Sequence, residues 1–323
     1  MAYIRTALLI ISVAYALGFS GIAKAESGVV VSIKPIHSLV AAIMQGAGAP
    51  RLIVRGGGSP HVYTLKPSDA DALEQAKLIF WVGETMEPFL KGPIKTLGKS
   101  ATIIALADAD GLVRWQFRES RSWQDHDRDD DIVASAHKSE ATHKHGRAGR
   151  DIDMHLWLDP QNAKIMASEI VRALAKVDPT RATVYEANGR ALKAKLNTLI
   201  QDLRRELDVV KGKPFIVFHD AFQYFEKRFG LHAVSAVTLS PDRQPGAAQI
   251  TKIRRQLANL GATCVFAEPQ FLPRLLNVVI EGTRANVAIL DPLGAGLKDG
   301  PDLYFKLMRR NAKALKDCLA KSS

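Results

Sequence analysis

The sequence predicts an α/β protein of two lobes, each with a mostly parallel sheet flanked by helices, joined by one long rigid helix. Three observations predict it. Short β-branched runs alternate with amphipathic stretches in the first half of the chain, the alternation recurs more cleanly in the second half, and one extended leucine stripe lies between the halves. Such alternation gives βαβ units, because a strand that returns parallel to its neighbour needs a crossover, usually a helix.

Taken in order, residues 1–25 carry an early cation, Arg5, then an apolar run, then Ala23-Lys24-Ala25, which has the A-x-A form of a signal-peptidase site. The run is too interrupted by Gly and Ser for a span of ~20 apolar residues. The mature chain is therefore expected to begin at Glu26 and to be a soluble periplasmic protein with no membrane insertion. No cysteine stands near the cleavage site to carry a lipid anchor.

The first lobe is taken as 26–178. In it "GVVVSI" (28–33) precedes a helix near His37 to Gln45, "LIFWV" (78–82) follows a helix opened by Ser68 with Asp71 completing a capping box, and "ATIIAL" (101–106) closes the set. Residues 125–150 break the pattern. They are dense in Asp, His, Lys and Gly with little to bury, which predicts a mobile acidic loop. It carries His126, His137, His143 and His145, four of the nine histidines.

Residues 179–210 begin with Pro at a plausible first helical position and place Leu192, Leu196, Leu199, Leu203, Leu207 and Val210 at steps of four and three. That is one apolar stripe, and a rod rather than a flexible hinge; two shorter helices broken near Asn188-Gly189 are the alternative. The second lobe, 211–323, has "PFIVF" (214–218), "HAVSAV" (232–237), "TCVFA" (263–267) and "NVAIL" (286–290), each followed by a helix-compatible segment.

Composition narrows the function classes. Losing Arg5 and Lys24 with the leader lowers the formal charge from +11 to +9, a modest excess for the length. The pairs Arg204-Arg205, Arg254-Arg255 and Arg309-Arg310 are scattered without interleaved aromatics, so they read as solvated faces and not as a nucleic-acid surface. Cys264 and Cys318 are an even number in an oxidising compartment and can pair, which would stabilise the fold by roughly 4 kcal/mol on the chain-entropy model; two buried free thiols are the alternative.

Outside the 125–150 loop five histidines remain, and three have distinctive contexts. His61 lies in the turn-rich "SPHVYTLKPSD". His155 lies in "DMHLWLDP", just before a helix that Asp159 can cap with Pro160 in first position. His219 follows the strand "PFIVF", and ligands of open α/β sheets bind outside the carboxyl ends of strands. Asp291 after "NVAIL" and Glu268 after "TCVFA" point to the same rim. Singly, each has a bland reading as a packed residue, turn or cap; their coincidence carries the argument. His37, at a helix start, and His232, at a strand opening, are expected to be structural.

These blocks, with "SIKPIHSLVAAIM", "IFWVGETMEPFL", "FIVFHDAFQYFEKRFGL", "QPGAAQI", "GATCVFAEPQF" and "LDPLG", make the chain similar over nearly all its mature length to the cluster A-I (cluster 9) substrate-binding proteins of metal ABC transporters. Within that family it most resembles the periplasmic zinc-binding proteins of the ZnuA type. The resemblance implies that His61, His155 and His219 stand at metal-ligand positions between two lobes joined by a rigid helix. It also implies that Cys264 and Cys318 pair, that Zn²⁺ is the transported ligand, and that the partner is the membrane permease of an ABC transporter. A monomer is the expected state.

Chemistry agrees with that ligand set. Three neutral imidazoles at ~2.0–2.1 Å plus one oxygen suit tetrahedral zinc, whereas manganese favours more carboxylate. Some zinc members carry Glu just before the first ligand histidine, where this chain has Pro60. Asp291 is therefore the choice for the fourth ligand, with a water as the alternative, and Glu268 is assigned to orienting or supporting the site. The loop histidines fit an auxiliary role in weak zinc capture or sensing. A manganese- or iron-binding relative, an adhesin, and a secreted zinc hydrolase are the competing functions. His219 argues against the first, and the lack of any H-E-x-x-H or G-x-S-x-G motif argues against an enzyme.

Overall fold

A computed structural model describes residues 28–118, 152–238, 246–259, 264–270, 279–283 and 285–321. The expected leader and the 125–150 loop with its four histidines lie outside the described residues. The first sheet is formed by β1 (Val29–Val31), β2 (Arg51–Leu52), β3 (Leu78–Trp81) and β4 (Thr102–Ala105), all parallel, in the order β2-β1-β3-β4. The second is formed by β5 (Phe215–His219), β6 (Ala233–Thr238), β7 (Cys264–Ala267) and β8 (Asn286–Ile289), also parallel, in the order β6-β5-β7-β8. Both sheets run second, first, third, fourth. In each, the order reverses beside the first strand, and a crevice opens there at the carboxyl ends of the strands. All residues of β1 and β5 are buried, the pattern of strands covered on both faces.

The helices among the described residues include α1 (Lys34–Ile43), α2 (Pro67–Glu74), α3 (Lys91–Thr96), α4 (Pro160–Val177), α5 (Ala182–Leu207), α6 (Gln223–Phe229), α7 (Ala247–Asn259) and α8 (Leu303–Ala320). Asp159 caps α4 as expected, accepting from the Gln161 N–H at 2.8 Å. The start of α2 differs from expectation. Pro67 takes the first turn, where its missing N–H costs nothing, and Asp69 accepts the Lys66 N–H at 3.1 Å, while Asp71 stays exposed.

The long helix α5 is unbroken, with 3₁₀ turns at Pro179–Arg181 and Asp208–Val210 on either side. Its 26 residues span about 39 Å at ~1.5 Å per residue. Leu192, Leu196, Leu199, Leu203, Leu207 and Val210 are all buried. The two residues that suggested a break have packing roles instead. Asn188 Nδ2 donates to the carbonyls of Ile43 and Gln45, both at 2.9 Å, closing the end of α1. Gly189 lets α5 approach α4 so closely that a Cβ there would lie 2.4 Å from Val171 Cγ2.

One apolar core runs continuously from β1 and β3 through α1, α4 and α5 to α8 and the inner face of the second sheet, at Phe215 and Phe266. A smaller cluster, including Ile216, Val237, Ile253 and Val265, fills its other face. Polar contacts add to the seam between the sheets. The buried Lys34 ammonium reaches the Leu297 carbonyl at 2.7 Å and Asp299 at 3.1 Å, and Trp157 Nε1 donates to the Pro292 carbonyl at 2.8 Å. Tyr304 Oη donates to the Trp157 carbonyl at 2.7 Å. Cys264 and Cys318 form a disulfide that ties β7 to α8. Among the described residues no helix is long and apolar enough to cross a membrane.

Gly189→Ala should destabilise the protein, since overlap with the stiff Val171 side chain costs about 1–3 kcal/mol and opposes the ~1 kcal/mol that Ala gains over Gly in a helix. The pair with Val171→Ala should cost less than the sum of the two single changes; urea unfolding of all three variants measures this coupling.

Candidate metal centre

The site grows from three backbone positions. His219 is the last residue of β5, and Glu268 directly follows β7, so the crevice of the second sheet places them side by side. His155 opens the 3₁₀ turn Leu156–Leu158 that leads into α4. His61 is carried by the coil between β2 and α2; two residues on, Tyr63 anchors that coil, its one hydroxyl proton shared between Asp69 Oδ2 at 3.1 Å and the Ile53 carbonyl at 3.2 Å.

The three rings converge. His155 and His219 are buried, His61 is half-buried, and one nitrogen of each lies within 4.8 Å of the other two. His155 Nε2 and His219 Nε2 face each other at 3.3 Å. Each ring is held from behind by a carboxylate, His155 Nδ1 by Asp153 Oδ1 at 2.7 Å and His219 Nδ1 by Glu268 Oε1 at 2.5 Å. A carboxylate accepting at Nδ1 fixes the ring proton there and turns the Nε2 lone pair toward the cavity. Two ligand nitrogens on a tetrahedral ion with bonds of ~2.0–2.1 Å lie about 3.3–3.4 Å apart, the separation these two already have. The cavity they line with His61, Glu268, Gln270 and Pro292 is about 10 Å³, room for one water-sized body.

The electrostatics explain how the metal-free pair coexists. Burial, then the neighbouring His219, pushes His155 well below the ordinary imidazole range. Burial also pulls His219 down, but Glu268, with Asp220 and Asp153 behind it, outweighs this and holds it above that range. A second proton is therefore favoured on His219 over His155, and at Nε2 it would donate to the His155 lone pair across the 3.3 Å gap. Burial pushes Asp153 up to about 7. Next to His219, Asp220 is clamped by Arg118, which also pairs with Glu226 at 2.8 Å. Tyr224 Oη donates to the Asp153 carbonyl at 2.7 Å and accepts from the Trp115 N–H at 3.0 Å.

Of the residues singled out from sequence, His61, His155 and His219 come together, and Glu268 touches His219. Asp291, expected as a fourth ligand, is not in the group whose ligand atoms converge. Its carboxylate is already engaged: Oδ1 accepts from Leu293 N at 3.0 Å, Gly294 N at 2.8 Å and Gln270 Nε2 at 3.3 Å, and Oδ2 accepts from Ala295 N at 2.7 Å. An acid followed by Pro and a tight turn is a better cap for the turn's amides than a ligand. His37 is buried with Nε2 3.2 Å from the Pro50 carbonyl, and His232 is exposed at the entry to β6. Sequence reading missed Asp153 and Gln270. The acid two residues before His155 was a usable signal, because that spacing lets it accept both the backbone N–H, at 3.0 Å, and Nδ1.

Comparisons with known proteins point the same way. Residues 29–318 match the family described as ZnuA: Zinc-uptake complex component A periplasmic. The chain is 50% identical to the high-affinity zinc uptake system protein ZnuA of Brucella suis, over 97% of this chain and 98% of that one. To the protein of that name from Yersinia pestis it is 35% identical, over 91% and 92%. Among solved structures a ZnuA crystal structure superposes with a TM-score of 0.72 at 23% identity, over 90% of this chain and 98% of that one, a likeness of fold.

In metal-free protein, a ¹H–¹⁵N NMR titration should show His219 gaining its proton above the ordinary ~6.5 of imidazole and His155 staying neutral well below it. Glu268→Gln should bring the His219 midpoint down, because the charge that raises it is gone.

Proposed function

This chain belongs to the family of periplasmic zinc-uptake components, and we propose that His61, His155 and His219 are the residues with which it captures Zn²⁺ for delivery to the membrane permease of an ABC importer. The observation that carries the reading is the pair of carboxylate-backed imidazoles 3.3 Å apart at Nε2. Imidazole nitrogen suits zinc, and a donor set that holds no carboxylate among the described residues disfavours manganese, the main competing cargo. The family is a binding component of an uptake complex and not an enzyme, so the hydrolase reading falls away.

With Pro60 before His61 and Asp291 committed to a turn, a water takes the fourth position. We take 26–178 and 211–323 as the two lobes and 179–210 as the link, with 1–25 as a cleaved leader into the periplasm. The chain acts as a monomer. The acidic segment 125–150, through His126, His137, His143 and His145, collects zinc weakly and adds nothing to the tight site.

Competition titration against a chromogenic zinc chelator should rank the variants. His219→Ala should weaken binding by more than about a hundredfold, Glu268→Gln by about 10–100-fold as expected for a partner one bond removed, and deletion of residues 125–150 should leave the dissociation constant unchanged. An unchanged constant for His219→Ala would remove that residue from the site.

Binding should also release about one proton near neutral pH, and affinity should fall as pH drops from about 8 to about 5.5. The sign follows from His219: its raised proton affinity means the site fills with a proton as pH falls, and zinc must displace it. Calorimetry in buffers of different ionisation enthalpy counts that proton.

A further inference from the structure

Gln270 lines the cavity with the three imidazoles, yet it belongs to neither the ligand set nor the carboxylates behind the rings. Its amide has a determined orientation. Asp291 Oδ1 already accepts from the backbone N–H groups of Leu293 and Gly294, so the end of the side chain 3.3 Å from it is the nitrogen. The other end, Oε1, is buried and has no hydrogen-bond partner among the described residues. A buried amide oxygen left unpaired is costly, and native proteins satisfy such groups with protein or bound water. Here the missing donor has an obvious source, since a water on a divalent cation is polarised, strongly donating, and needs an acceptor beside the cavity.

We propose that Gln270 Oε1 is the acceptor that holds the metal-bound water in the fourth position, with Asp291 orienting the amide. Asp291 thus acts on the site from one residue away. The arrangement selects water over a protein carboxylate: a neutral amide oxygen accepts from the water without adding charge, and the cation keeps three neutral imidazoles and one exchangeable ligand. Gln270 is a positioning residue that acts through that water. This inference rests on the three-imidazole reading above, and the test separates the two.

The full-length mature protein, metal-free, is loaded with Zn²⁺ or with Co²⁺, whose visible absorption reports the tetrahedral field. Gln270→Leu removes the acceptor. Gln270→Asn keeps an amide but withdraws its oxygen by one methylene, and serves if the first variant folds poorly. Both should keep one-to-one binding, weaken Zn²⁺ by about tenfold, in the range of other partners that act through a ligand, and shift the Co²⁺ spectrum together with the pH at which its bound water ionises. Dissociation constants within twofold of wild type and an unmoved Co²⁺ spectrum would overturn the role of Gln270 while leaving the imidazole site standing. A lowered melting temperature with that same unmoved spectrum would also overturn it, by showing a merely structural part. A wild-type protein that takes up neither ion would overturn both readings together.

Discussion

Two buried imidazoles set nitrogen to nitrogen at 3.3 Å are joined by no more than the one proton between them when the metal is absent. Their lone pairs repel unless a proton or a metal lies between them, so the surroundings must impose the separation. Each ring is fixed twice, by its backbone position and by a carboxylate at Nδ1. Those backbone positions belong to different parts of the chain, 64 residues apart. The distance is therefore set by how the second sheet sits against the turn before α4, and the site depends on that packing before it depends on any ligand chemistry.

The packing is suited to the task because the lobes share a core. Side chains of α1, α4, α5 and α8 and of both sheets lie in one continuous apolar cluster, and the seam is stitched by Lys34, Trp157 and Tyr304. Rotating one lobe on the other would break buried contacts along the whole length of α5. Such a frame keeps His155 and His219 at a fixed span, while His61 is half-buried and carried on coil. Two rings held ready at that span would lower the ordering cost of binding an ion between them.

Much of this was legible in the sequence because the signals were periodic or positional. The leucine stripe of α5 gave the rod, and strand ends gave His219, Glu268 and the rim on which they meet. What was illegible depended on partners far away in the chain. Asn188-Gly189 reads as a helix breaker until α1 and Val171 are in place to use its amide and its missing side chain. Asp291 reads as a ligand because it stands at a strand end and carries charge. Only the folded turn reveals that three backbone N–H groups reach it first. Gln270 had no local signal, since its meaning lies in the orientation that Asp291 gives it.

The position of the acids also decides what kind of site this is. Glu268 and Asp153 stand behind the imidazoles, so whatever charge they carry would reach an ion between the rings from some 6 Å away in place of about 2 Å for a bound carboxylate. Coulomb attraction falls about threefold over that step, and more where water or protein dipoles respond. The acids act chiefly on ligand basicity, raising His219's hold on whatever it binds at Nε2. A proton and a zinc ion compete for that same lone pair, so any change that strengthens the metal's grip there strengthens the proton's as well. The affinity of the site is thus bounded from within, a property suited to a protein that has to give its cargo away.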